Sequence, residues 1–187
     1  MVRKKKNICI KGINFALIMY LLVMGIGVDL KTDYQPRKVV AATHVAIQNW
    51  SLYGRKNKVI YCNDSCTYWD RFKDMAKVWN AHKSGVLKQW KNGDIVTCRV
   101  QSAAELSSRS ARTYSTGFIV FNTNQMRRHS QNEKNNVALH EQGHALGLDH
   151  NTGGKDVMNV QPRSIIKLSQ NDKASFNKAY NKFVLGR

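Results

Sequence analysis

A chain of 187 residues, 42% of them hydrophobic and only two of them proline, is long enough for one folded domain with a real core. It is too apolar for a disordered tail. Its formal charge is +18, and because residues 1–42 hold eight Lys/Arg and two Asp/Glu, residues 43–187 still carry +12; such an excess favours an anionic cell-wall or membrane surface, while no motif accompanies it that would specify a nucleic acid.

The N-terminus opens with Arg3, Lys4, Lys5, Lys6 and Lys11, continues as an uncharged apolar run from Gly12 to Val28, and reaches the small residues Ala41 and Ala42. Basic, apolar, then small is the order of a secretory signal. Residues 1–42 are therefore expected to be an export signal cleaved near Ala42, with a retained N-terminal membrane anchor as the alternative. Either places residues 43–187 outside the cytoplasm, secreted or tethered to the outer face of the membrane. Cys9 precedes the apolar run without any lipid-attachment context. Cys62, Cys66 and Cys98 remain downstream, and in an oxidising compartment one disulfide plus one free thiol is the simplest arithmetic. A bridge from Cys98 to either partner closes a loop of roughly 30 to 36 residues, worth about 3 kcal/mol. The pairing stays open.

Lys58 to Cys62 is rich in β-branched and aromatic residues and predicts a first strand. Thr67 and Asp70 form a capping pair for a helix reaching about Lys83, with Trp69, Phe72, Ala76 and Trp79 as its buried stripe. Asp94 to Val100 predicts a second strand, and strand-helix-strand implies a parallel pair with a right-handed crossover. Gln101 to Tyr114 is polar, rich in Ser and Arg, and reads mostly as loop. Gly117-Phe118-Ile119-Val120-Phe121 predicts another strand, ended by Asn122-Thr123-Asn124. Ser130 and Glu133 match a capping box for a helix that carries Val137, Ala138 and Leu139 and stops at Gly147. Ser169 and Asp172 cap a final helix whose apolar face is Phe176, Ala179, Tyr180, Phe183 and Val184. No repeat or linker interrupts residues 43–187, so one mixed α/β (α+β) domain is expected.

His140 and His144 stand four apart on the predicted helix and so share one face, where both imidazoles can reach a single zinc ion at about 2.0–2.1 Å. Gly147 tolerates the positive φ of a sharp reversal, which returns the chain to present His150 as a third ligand. Three protein nitrogens leave a fourth position for water, the arrangement of a catalytic zinc. Glu141, beside the first ligand, is placed to act as general base toward that zinc-bound water. Five fixed positions in one register arise by chance on the order of once in several million windows, so incidental surface histidines do not explain them. His44, His82 and His129 have no such spacing and read as ordinary surface residues.

The run His140-Glu141-x-x-His144-x-x-Gly147-x-x-His150 resembles the long zinc signature of the metzincin metalloendopeptidases. Val157-Met158-Asn159 resembles their methionine turn. The spacing, with Leu146 to His150 and the tail Leu168 to Asp172, is similar to the matrixin branch, in particular to its small bacterial members. The likeness is strong from about Gly117 to Tyr180 and only topological before that. It implies a twisted, mostly parallel sheet with an antiparallel edge strand, an active-site helix, and a C-terminal helix after the methionine turn. It further implies one catalytic Zn2+ on His140, His144 and His150, Glu141 as base, Met158 as the floor beneath the metal, and Gly117 to Phe121 as the edge strand along which substrate lies. Val160 to Ile165 would line the primed-side pocket. Asn151 departs from the Ser usual in matrixins at that position. The absence of a tyrosine just after Met158 argues against astacins and serralysins. Neither a cysteine-switch propeptide nor the ligand clusters of structural calcium are evident.

The expected activity is therefore a secreted zinc endopeptidase acting on protein or peptide substrates as a monomer. Two rivals stand beside it: a cationic surface-binding module with a non-catalytic metal site, and a hydrolase of cell-wall peptide cross-links.

Overall fold

The computed structural model describes residues 43–56, 60–105 and 107–187. The expected export segment and Lys58-Val59 of the first predicted strand lie outside these residues. Strands β1 (Ile60–Ser65), β2 (Leu87–Gln89), β3 (Cys98–Ala103), β4 (Ala111–Tyr114) and β5 (Phe118–Asn122) form one sheet, ordered β2-β1-β3-β5-β4. Helix α1 (Trp69–His82) follows β1, the short α2 (Thr123–Met126) and α3 (Gln131–Ala145) follow β5, and α4 (Gln170–Tyr180) runs into a π-helical turn at Asn181–Leu185. All neighbouring strands are parallel except β4, which runs antiparallel to β5. This is the mixed α/β fold with a mostly parallel sheet expected from the sequence.

Helix α1 buries Trp69, Phe72, Met75 and Trp79. Ala76, expected on the stripe, is half-buried at its margin, and Met75 fills the core position instead. The expected Thr67–Asp70 cap does not form: Tyr68 is the N-cap and makes no side-chain capping bond. The Thr67 N–H donates to Ser102 Oγ at 2.9 Å, so contact with β3, rather than a local cap, steers the chain into the helix. Two polar links lock α1 to α3. Trp79 Nε1–H donates to the Leu139 carbonyl (3.0 Å) and Gln142 Nε2 donates to the Phe72 carbonyl (2.6 Å). Phe176 of α4 stacks on Trp79 at 5.8 Å between centroids, closing the core below the two helices.

The sheet edge is a correction. Residues 117–121 do not form it: β5 lies between β3 and β4, with Ile119 and Phe121 fully buried. The edge is Ala111–Tyr114, in the stretch expected to be mostly loop. An apolar strand needs cover on both sides, whereas a short strand carrying Arg112 and Thr113 tolerates water along one side. The three-residue β2 and the later start of β3, at Cys98 rather than Asp94, also differ from expectation.

Among the described residues no disulfide joins Cys62, Cys66 and Cys98, unlike the expected disulfide and single thiol. The register nonetheless selects a pair. Cys62 is the Cα partner of Cys98 on the adjacent strand, and neighbouring strands about 4.8 Å apart lie within disulfide range. The hydrogen bond between the two thiols, together with burial, pushes the Cys62 thiol well above its ordinary pKa. Cys66 Sγ instead accepts from the Tyr68 N–H and the Ser102 hydroxyl, each at 3.2 Å. Refolding with a small-molecule disulfide as oxidant should link Cys62 to Cys98 and leave Cys66 open to alkylation. Peptide mapping without reduction checks this, and a Cys66–Cys98 link would contradict the register.

Candidate metal centre

Helix α3 begins with the expected capping box: Ser130 Oγ accepts from the Glu133 N–H (3.3 Å) and Glu133 Oε2 accepts from the Ser130 N–H (2.8 Å). From Asn136 onward almost every residue is buried, because α1, the sheet and the following loop enclose the helix. At the far end Gly147 has φ +94°, and an added Cβ there would lie 2.5 Å from Phe183 Cε2. Backbone and space both demand glycine at this reversal. Beyond it the Leu148 N–H donates back to the Gly143 carbonyl at 2.9 Å, and the chain returns alongside the helix it has just left.

That reversal brings His150 to the two helical histidines. Its Nε2 lies 3.2 Å from His140 Nε2 and 3.2 Å from His144 Nε2, and the three side chains form a group with the spacing of metal ligands. The opposite ring nitrogens face main-chain carbonyls: His140 Nδ1 lies 2.9 Å from Val157 O and His144 Nδ1 lies 2.9 Å from Leu148 O. A carbonyl can only accept, so each Nδ1 carries the proton and each Nε2 presents a lone pair. Lone pairs converging at 3.2 Å repel unless a cation lies between them. Two ligands at about 2.0–2.1 Å in tetrahedral array are about 3.3 Å apart, so the donor set fits zinc. Burial, reinforced by His144, drives the His140 pKa down to about 3. Burial also lowers that of His150, with His144 again adding to it. Both shifts favour the neutral ring, the form that ligates.

Glu141 is 5% exposed. Its Oε2 accepts the Thr113 hydroxyl at 2.6 Å, so the edge strand orients the carboxylate and leaves its other oxygen free. Burial raises the Glu141 pKa, opposed by His144 and by Thr113. These groups line a cleft of about 680 Å³ that also includes Arg109, Arg112 and Asp149. Val160, Gln161 and Pro162 of the expected pocket wall reach the same cleft. Asn136 holds that wall by donating to the Ile165 carbonyl (2.7 Å) and accepting from the Arg163 N–H (3.0 Å).

Met158 is fully buried and packs against α3 at Gly143, where an added Cβ would stand 2.3 Å from Met158 Sδ. Asp172, expected only as a helix cap, does more. While capping Ser169 (2.8 Å), its Oδ2 also accepts from the Val157 N–H (2.9 Å), and its Oδ1 accepts from the Met158 N–H (3.2 Å). None of the other histidines joins the cluster. His82 Nε2 meets Asn177 and His129 Nε2 meets Ser110. His44, expected to be an ordinary surface residue, places its Nδ1 2.6 Å from Oδ1 of buried Asn151, which follows His150. Thr113, Gln48 (Nε2 3.1 Å from His144 Nδ1) and Asn136 were not anticipated. Their partners lie 27 or more residues away, and no local pattern marks them.

Residues 71–181, more than half of the chain, match the family Matrixin. The chain belongs to the matrixin family. No curated protein matches it. Membership makes the chain a zinc metalloendopeptidase whose metal is zinc, and His140, His144 and His150 form the cluster in this matrixin that can hold it.

Two outcomes follow from this geometry. Gly143→Ala forces Met158 aside from a fully packed position and should destabilise the matrixin domain by about 1–3 kcal/mol, read as a lowered denaturant midpoint at unchanged slope. The second concerns pH. The folded His140 pKa, near 3, lies below its ordinary 6.5, so between these values the unfolded chain binds more protons. The associated stability is complete above about pH 6.5 and is lost as pH falls toward 3. Chelator-treated protein should therefore show a lower denaturant midpoint at pH 4 than at pH 7, and His140→Gln should flatten that dependence.

Proposed function

We propose that this chain is an exported endopeptidase in which Glu141 is the general base for peptide hydrolysis and His140, His144 and His150 hold the catalytic zinc over Met158. The observation that carries the reading is the buried Glu141 carboxylate, oriented by Thr113 beside three converging imidazoles. Zinc held there supplies Lewis acidity toward a carbonyl and toward water. An extended peptide adds to the open side of β4 as an antiparallel strand, main chain to main chain, which brings its scissile carbonyl into the cleft. Glu141 takes a proton from the attacking water as the new C–O bond forms. It passes that proton to the departing nitrogen as the C–N bond breaks, so the carboxylate is regenerated. Burial suits the group to both steps by moving its pKa up toward the working pH.

Export is supported by the order of Arg3 to Lys6, the apolar run Gly12 to Val28, and Ala41-Ala42. N-terminal sequencing of protein recovered outside expressing cells distinguishes cleavage near Ala42 from a retained anchor. We read the enzyme as a monomer. The +12 of residues 43–187 supports action at an anionic surface such as a cell wall. A binding module without catalysis is disfavoured, because a structural metal site has no use for a base at Glu141.

Glu141→Ala should keep its zinc by metal analysis yet lose proteolysis by at least about 10²–10⁴-fold, and a chelator should abolish wild-type cleavage. Equal casein cleavage by mutant and wild type would refute the assignment.

A further inference from the structure

The cleft carries a charge that hydrolysis does not require. Arg109 lies two residues before β4 and lines the same cavity as His140, Glu141, His144 and His150. It is an exposed side chain on an anchored backbone. The fully buried Asn122, at the end of β5, donates from Nδ2 to the carbonyls of both Ser107 and Arg109 at 3.0 Å. The Arg109 N–H donates in turn to Ser107 Oγ at 3.3 Å. Among the described residues the ion pairs are Asp70–Lys73 and Asp74–Lys77, so the Arg109 guanidinium is paired with none of them.

The other charges facing the cleft are Arg112, Asp149 and Glu141 itself. Arg112 places its guanidinium carbon 5.2 Å from the centroid of the Tyr114 ring. Asp149 Oδ1 accepts the His150 N–H at 2.8 Å, and Glu141 is held by Thr113. Each therefore has a partner within the protein, whereas Arg109 faces the cavity with its five donors unmatched by any acid.

We propose that Arg109 makes this enzyme select peptides bearing an Asp or Glu carboxylate shortly after the bond that is cut; the inference rests on the peptidase reading above. The direction follows from strand pairing. A peptide antiparallel to β4 passes Tyr114 and Thr113 first and the Arg109 end last. Thr113 touches the base, so the scissile bond lies beside it, and Arg109 faces the part of the peptide that follows. Arg109 is four residues before Thr113, two in β4 and two in the loop ahead of it, at most about 14 Å at about 3.4 Å each, and the long arginine side chain reaches back over part of that. The second to fourth residue after the cut is the position selected. A guanidinium pairs two carboxylate oxygens at once, at a half-open site where salt screens the attraction.

The experiment compares kcat/KM of zinc-loaded full-length protein on matched peptides that differ only at those positions, with Ala, Asp or Lys. Wild type should prefer Asp over Ala by roughly 5–20-fold, mainly through KM, and the ratio should shrink in 0.5 M salt. R109Q should bring the ratio near one, and R109E should reverse it in favour of Lys; each ratio is internal to one variant, so loss of folded protein cancels. R112Q should keep the wild-type ratio. A wild-type ratio near one, or a ratio abolished by R112Q and untouched by R109Q, overturns the role of Arg109 while leaving the peptidase standing. A wild-type protein that cleaves none of the peptides, with zinc bound, overturns both.

Discussion

The arrangement depends on one buried carboxylate. Asp172 is fully buried, and a charge in that position is unfavourable unless hydrogen bonds replace its lost water. It accepts three main-chain N–H groups, from Ser169, Val157 and Met158. One oxygen pair thus starts the last helix and fixes the turn that carries Val157 and Met158. The consequence reaches the chemistry in one more step, because the Val157 carbonyl on that turn accepts the Nδ1 proton of His140. The tautomer of His140 is set by a peptide group that Asp172 holds in place. Met158 follows in the same turn and fills the space that Gly143 leaves on α3.

A second constraint acts from the other side. Residues 44–52 lie along the end of α3 and the reversal after it. The Gln48 N–H donates to the Gly147 carbonyl, the Leu52 N–H to the Ala145 carbonyl, and the Asp149 N–H to the Ala46 carbonyl, all between 2.8 and 3.1 Å. Ile47 bridges Leu148, and the Ala46 N–H donates to Ser175 Oγ on α4. The strap ties the loop that carries His150 to the C-terminal helix. Left-handed backbone at Gly147 makes the reversal available; the strap and the methionine turn select one position for it. The approach of His150 Nε2 to 3.2 Å from both helical imidazoles is therefore held from both faces.

The edge strand β4 serves two demands that usually conflict. An unpaired strand side invites association with other chains, and polar or charged residues on a short strand limit that risk. The same open side suits an extended peptide, and β4 is short, with Arg112 and Thr113 at its middle. Thr113 joins the strand to Glu141, so the open strand and the buried carboxylate are mechanically connected.

Much of the centre was legible in the chain itself. Histidines four apart on a helix share a face by periodicity alone, a glycine three residues later permits the return, and the boxes at Ser130–Glu133 and Ser169–Asp172 close over three residues. Each of these is a short-range rule, satisfied or violated within a few positions. The tertiary structure decided the rest. It placed residues 111–114, not 117–121, at the sheet edge, since that choice depends on which strand finds cover on both sides. It brought Thr113 to Glu141, Gln48 to His144 and the thiol of Cys62 to that of Cys98, and it gave a helix-capping aspartate a second task. These contacts join residues 28 to 96 positions apart, and Asp172 reaches back 15 residues to Val157. No periodicity along the chain encodes them, because packing of the whole domain, rather than the preference of any segment, sets which distant groups meet.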